Sequence, residues 1–395
     1  MTTLHPTTPV KPPAVAALAA LITLALSGCS QSTPQAQPRR DSPFVFQALN
    51  LRQQDAQGRL LWSVTSPEAR YDLSRRLALA RQLRGDIHTN GQALYRLQAS
   101  QGTVFSDGDV IQLEGAVSVE RLGADPVMIQ ASRMRWYPRQ QRIELDRHAQ
   151  AFDRTLKLTA SKATLLFEKD LLQLRGRPTL QTRAALGPSE GPLRLQLQQL
   201  DWSPGSGRLI ALGPVQASSP TRGNGNRSLK AVGLEGNTAL RRLTLLGPVR
   251  LEAPDQSAWL QAQTSTLDLA ANTLGSNAPF TAAIGGLRIA GQSLRLLLAS
   301  NEAEILGGCQ LRQPDASLSA QRCRWNWNTD QVNASGGVVL RRQANQQTTR
   351  AKQLHGRIGS RGLLEFSSPG ARVRSTLVLP PAKPEAKTRA TAIRL

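Results

Sequence analysis

Three cysteines, four histidines and 27 acidic residues are the chain's whole stock of thiol, imidazole and carboxylate side chains. Cys309 and Cys323 flank a turn signal at Pro314-Asp315, and neither their spacing nor a nearby His pair fits a zinc site. Cys309 occupies the alternating position that Val117 and Val249 hold in sister segments, so a hairpin disulfide and two buried thiols both remain open. His5, His88, His148 and His355 are scattered. Asp and Glu fall singly on polar positions, and Asp107 and Asp109 sit beside Gly108, where turn propensity accounts for them. There is no nucleophile elbow, phosphate loop, zinc-protease helix or calcium loop. The expectation is therefore no enzyme, no metal and no cofactor.

The third cysteine has a different setting. Lys11 precedes an apolar run from Ala14 to Leu26, which ends in Leu26-Ser27-Gly28-Cys29. A basic start, a short apolar stretch and small residues describe a secretory signal peptide, too short for a comfortable membrane span. Leu-Ser-Gly-Cys resembles the lipobox of bacterial lipoproteins, which implies cleavage before Cys29 and acylation of that residue. Two or three acyl chains make a stable anchor where one does not. Residues 1–28 are thus expected to be a lipoprotein signal peptide and residues 29–44 a polar tether. The tether is rich in Ser, Gln and Pro and has nothing to bury. Residues 379–395, Pro, Ala and basic side chains, read as a disordered basic tail.

The net charge of +22 comes mostly from arginine. With an export signal and no nucleic-acid motif, nucleic acid is not the expected partner. An anionic partner outside the cytoplasm is, because the guanidinium fork grips phosphate and carboxylate groups bidentately.

Positioning falls to strands. From about residue 45 the dominant signal is period-2 alternation. One segment recurs: apolar, x, Gly, x, apolar, x, apolar. It reads Leu113-Gly115-Val117-Val119, Leu174-Gly176-Pro178-Leu180 and Ala211-Gly213-Val215-Ala217. It returns as Leu245-Gly247-Val249-Leu251, Ile305-Gly307-Cys309-Leu311 and Ala334-Gly336-Val338-Leu340, with degenerate copies near Leu145 and Asn277. A second segment ends in an aromatic before a turn, as at Trp136, Trp202 and Trp325. The step is roughly 30 to 35 residues, the range of repeat architectures. A glycine at one phase of every unit predicts a bulge or bend at one height, or room left for a ligand chain. The expected fold is all-β, an elongated two-sheet body of stacked hairpins.

The residues Phe46-Gln47-Ala48-Leu49-Asn50-Leu51, Gly58 to Trp62, Ala69-Arg70-Tyr71-Asp72, Tyr95 to Gly102, Leu113-Glu114-Gly115-Ala116-Val117 and Ala131 to Trp136 carry a resemblance. In that order they resemble the LptC family, a membrane-anchored periplasmic component of lipopolysaccharide export. The resemblance spans about residues 45 to 155, and residues 156–378 look like further OstA-like β repeats. It implies a β-jellyroll with an open slot that takes lipid acyl chains from the membrane subunits of an inner-membrane ABC transporter. A β-jellyroll bridge protein, joined by edge-strand pairing, would receive them. The lipobox and the length depart from the family pattern, leaving open whether the inner or outer membrane holds the anchor. The slot is expected at the inward apolar positions Trp62, Tyr71, Phe105, Leu113, Val117, Val119 and Ile129, with Arg133, Arg135 and Arg139 at its rim for anionic headgroups. A periplasmic scaffold that binds proteins or peptidoglycan and has no slot is the competing expectation.

Overall fold

In the computed structural model the described residues are 44–187, 190–220, 226–254, 257–343, 346–357 and 363–378. The expected signal peptide, the expected tether up to residue 43 with Cys29, and the expected basic tail lie outside them.

The alternating sequence forms one antiparallel sheet system, in which a crossing is one strand or two strands broken at a corner and each crossing pairs with the next. A crossing is about eleven to seventeen residues long and bent in its middle. The strand Leu156–Leu166 shows how. Its second half pairs with Leu171–Arg175 and its first half with Thr179–Gly187, two parts of one crossing broken at a corner. Similar breaks divide Glu190–Gln196 from Leu200–Ser203, and Arg242–Leu246 from Val249–Ala253. The corners lie at one phase of the repeat, so the sheet folds into two half-sheets whose inner faces meet. This all-β, bent-strand, two-layer arrangement is the two-sheet body expected from the repeats and the jellyroll that the family resemblance implies.

The recurrent glycines sit at the corners. Gly115, Gly213 and Gly336 have φ of +67°, +87° and +82°, the left-handed region where a side chain is strained. The ladder shifts register at the same places, between Glu114 and Val117, Leu212 and Val215, and Ser335 and Val338. These are β-bulges, which turn a strand more sharply than regular pairing allows. The degenerate unit near Leu145 makes its corner without glycine: Arg147 and His148 take φ of +64° and +58°.

Among the described residues, short turns close the crossings at both ends. Along one rim they are built alike, with Arg76, Gln141, Asp170, Arg241, Asn272, Asn301 and Asp330 all at positive φ. The described strands form part of one compact unit, residues 42–395. Its ladder crosses residues 155–156 without interruption, through pairing of Arg142–Phe152 with Leu156–Leu166. The first core cluster runs from Val64 to Leu267 and the second from Ala262 to Leu354.

Cys309 and Cys323 are both buried and are joined in a disulfide, Cα atoms 6.0 Å apart. Cys309 pairs with Ala320 in one half-sheet, and Cys323 pairs with Ile305 in the other. The bond therefore staples the two halves across the interior near a corner. Closing a loop of 14 residues removes chain entropy from the unfolded state worth about 3 kcal/mol. Reduction, or the C309S/C323S double variant, is expected to lower unfolding free energy by that amount, and only the native chain should respond to reductant.

Candidate functional site

The candidate site is the interior between the half-sheets and the rims that face each other across it. Alternation places Leu113, Val117, Val119 and Ile129 on the inner face, where each is at most 2% exposed. Trp62 is half-buried, its ring edge-on to Trp136 at 5.2 Å between centroids, and its indole N–H donates to Gln53 Oε1 at 2.6 Å. Tyr71 is half-buried in the strand Glu68–Asp72. Phe105 departs from the expected inward position and is 37% exposed. Its neighbour Val104 takes the inner face, because the ladder that pairs Val104 with Ile111 puts Phe105 on the opposite phase. The interior here is filled with buried apolar side chains.

What holds the rims together lies far apart in sequence. The Tyr95 hydroxyl donates to Asp170, and Arg121 Nε donates to both carboxylate oxygens at 3.0 and 3.1 Å. The backbone N–H of Gly205 adds a further bond to Asp170 at 2.8 Å. Tyr95 and Arg121 lie near turns of one rim, Asp170 and Gly205 in turns of the other. The tyrosine is fully buried with its ring edge-on to Phe167. Burial, then the Asp170 charge, pushes its phenol well above the ordinary tyrosine value. Four polar groups thus form a clasp across the open side of the two half-sheets. Trp62 on Trp136 makes a second closure, and Thr155 Oγ1 to the Thr238 carbonyl, at 3.5 Å, a third. The clasp residues were not singled out from the sequence: Tyr95 and Asp170 are 75 positions apart.

The second core cluster is less fully covered. Leu260, Leu296, Trp325, Trp327, Leu364 and Phe366 pack against it only partly buried. Trp136 and Trp202, which share the repeat phase of Trp325, are 1% and 0% exposed.

Charge follows the strands. Arg133 is bound to Asp146, whose carboxyl is held below the ordinary aspartate value chiefly by that hydrogen bond. Arg139 Nε pairs with Asp109 at 3.2 Å, and Arg135 stands opposite Glu144. Glu304, 7% exposed, receives hydrogen bonds from Arg295 and Arg324 on the strands to either side. Burial works to raise its pKa, but the two guanidinium groups outweigh burial and leave it below the ordinary value of 4.5. A depressed folded-state pKa stabilises above the unfolded value, and that stability is lost as pH falls through the folded value. Thermal melts are therefore expected to show stability falling on acidification below about pH 4.5, with a shallower fall in Glu304→Gln.

Among the described residues no group of His, Cys, Asp and Glu could hold a metal ion.

Residues 14–179 match the family model described as lipopolysaccharide-assembly, LptC-related. No curated protein matches. Among solved structures, LptH of Pseudomonas aeruginosa, described as the LptA-homologous periplasmic component of the conserved lipopolysaccharide transport device, is similar to this chain at 16% identity. That match covers 29% of this chain and 82% of LptH, with a TM-score of 0.25.

Proposed function

We propose, from the match of residues 14–179 to the LptC-related family model, that this chain is a lipid-anchored periplasmic component of lipopolysaccharide transport. Acyl chains pass between its half-sheets. The observation that carries the reading is a single apolar interior, Val64 to Leu267, running without a break from the family-matched residues into the repeats that follow. Acylated Cys29 holds the body at a membrane. An inner-membrane ABC transporter supplies the lipid. A β-jellyroll partner extends the sheet by pairing with an edge strand, either Leu49–Gln54 or Leu364–Ser367. The first of these edges follows Phe44, Val45 and Phe46, all exposed.

Because the interior is filled, tails enter only when the half-sheets part along the clasped side. Each buried CH₂ contributes about 0.8 kcal/mol, so a few turns of acyl chain offset the loss of a clasp worth a few hydrogen bonds. No catalytic step is involved. The site comprises Trp62, Tyr71, Leu113, Val117, Val119 and Ile129, with Phe105 at its outer margin.

The filled interior also favours a second reading, a closed envelope scaffold that binds protein or peptidoglycan and carries no lipid. Gel filtration of the purified chain after incubation with lipopolysaccharide separates the two. Co-elution of lipopolysaccharide, reduced when Val117 is replaced by Trp in a variant that still folds, supports transport. Elution without lipid at every ratio tested leaves the scaffold.

A further inference from the structure

Over much of the sheet a basic side chain has a carboxylate opposite or beside it. Even where like charges are opposed, at Lys162/Arg175 and Lys230/Arg250, the arginine pairs with Asp201 or Glu252, respectively. Arg96 bonds Asp86, Arg133 bonds Asp146, Arg242 bonds Asp268, and Glu304 lies between Arg295 and Arg324. The outer face of the other half-sheet near the carboxyl end breaks this rule. There Arg288 stands directly opposite Arg312, and Arg350 directly opposite Arg374. Arg341 lies on the same face, opposite Ser317 and Thr348. All five are exposed. The inner-face neighbours Ile289, Leu311, Leu318 and Leu340 are buried, which fixes the arginines on the outside.

Among the described residues none of the five has a carboxylate within ion-pair distance. Arg312 bonds only the neutral Gln310, at 3.1 Å. Like charges directly opposed across strands destabilise a sheet, so two such pairs cost the fold stability that an Arg-to-Gln change would restore. The face instead concentrates positive charge and free guanidinium forks, which match phosphate groups presented side by side.

We propose that this arginine face docks on an anionic phospholipid bilayer. A bilayer fits because the arginines spread over five strands on a sheet face, where a planar array of phosphodiesters can meet them together. The proposal is independent of whether lipid passes through the interior. Each arginine near an anionic surface contributes about fivefold in binding, so neutralising two lowers it about 30-fold.

The test is flotation of the full chain carrying Cys29→Ser, so that no acyl anchor contributes, with vesicles of phosphatidylcholine alone or with added phosphatidylglycerol. The expected result is binding to the anionic vesicles only, lost in high salt and lowered about 30-fold by R288Q/R312Q. That double variant is expected to melt no lower than the parent, which shows that the loss is not unfolding. Undiminished binding by R288Q/R312Q and R350Q/R374Q would move the contact to another basic segment and overturn the assignment. So would absence of binding to either vesicle, or binding to lipopolysaccharide aggregates with none to phospholipid.

Discussion

Gly247→Ala is expected to lower unfolding free energy by about 4 kcal/mol or more, near the top of what one substitution does. Gly247 stands at the corner between Arg242–Leu246 and Val249–Ala253. A methyl group there would fall within the van der Waals sphere of the Gln263 carbonyl oxygen and against that residue's backbone. Neither atom is the free end of a side chain, so two ladders must shift together. The corner lies where the first core cluster ends at Leu267 and the second begins at Ala262, so the shift is felt by both. Gly337→Ala is the matching control. It has φ of +69° but nothing within 4 Å of an added Cβ, so its expected cost is only about 1–2 kcal/mol for left-handed backbone. Denaturant unfolding measures both. Equal losses would mean that close approach at Gly247 does not matter.

Trp136→Ala is the second large effect, about 3–5 kcal/mol. The indole is 1% exposed, lies between Ile111 and Ile143 in the ladder, and closes the gap to Trp62 on the facing half-sheet. Part of the loss belongs to the pair. A double-mutant cycle of Trp62→Ala and Trp136→Ala should give a coupling of about 1 kcal/mol, the edge-to-face contact beyond simple burial. Strict additivity in that cycle would show that the rims are not joined there. The same variant removes one closure of the open side while leaving the Tyr95–Asp170–Arg121 clasp in place, which makes it a probe of the proposed lipid entry.

Local pattern was legible in the sequence, and distant contact was not. Alternation assigns Leu113, Val117, Val119 and Ile129 to the inner face because a strand has only two faces and the core takes one. Glycine at a fixed phase marks the corners because a bulge needs a conformation that other residues adopt at a cost, as Arg147 and His148 do. Phe105 leaves the inward set for the same local reason. It ends a strand beside the 3₁₀ turn Ser106–Gly108, and the register that sends Val104 inward is set by Ile111 on the next strand. The clasp left no trace in spacing. Tyr95, Arg121, Asp170 and Gly205 belong to different crossings, and only the folding of one half-sheet over the other brings them within hydrogen-bond reach. The arginine face was visible only as net charge, since whether an arginine has a carboxylate opposite depends on register.

Photocrosslinking in living cells tests most directly whether lipid passes between the half-sheets, as proposed. Probes would replace Val117 and Val249, both 2% exposed on the inner face, with Ser118 on the outer face of the same strand as control. Lipopolysaccharide adducts are expected at Val117 and Val249 and none at Ser118. Protein adducts alone, or lipid adducts at all three positions alike, would contradict the proposed passage.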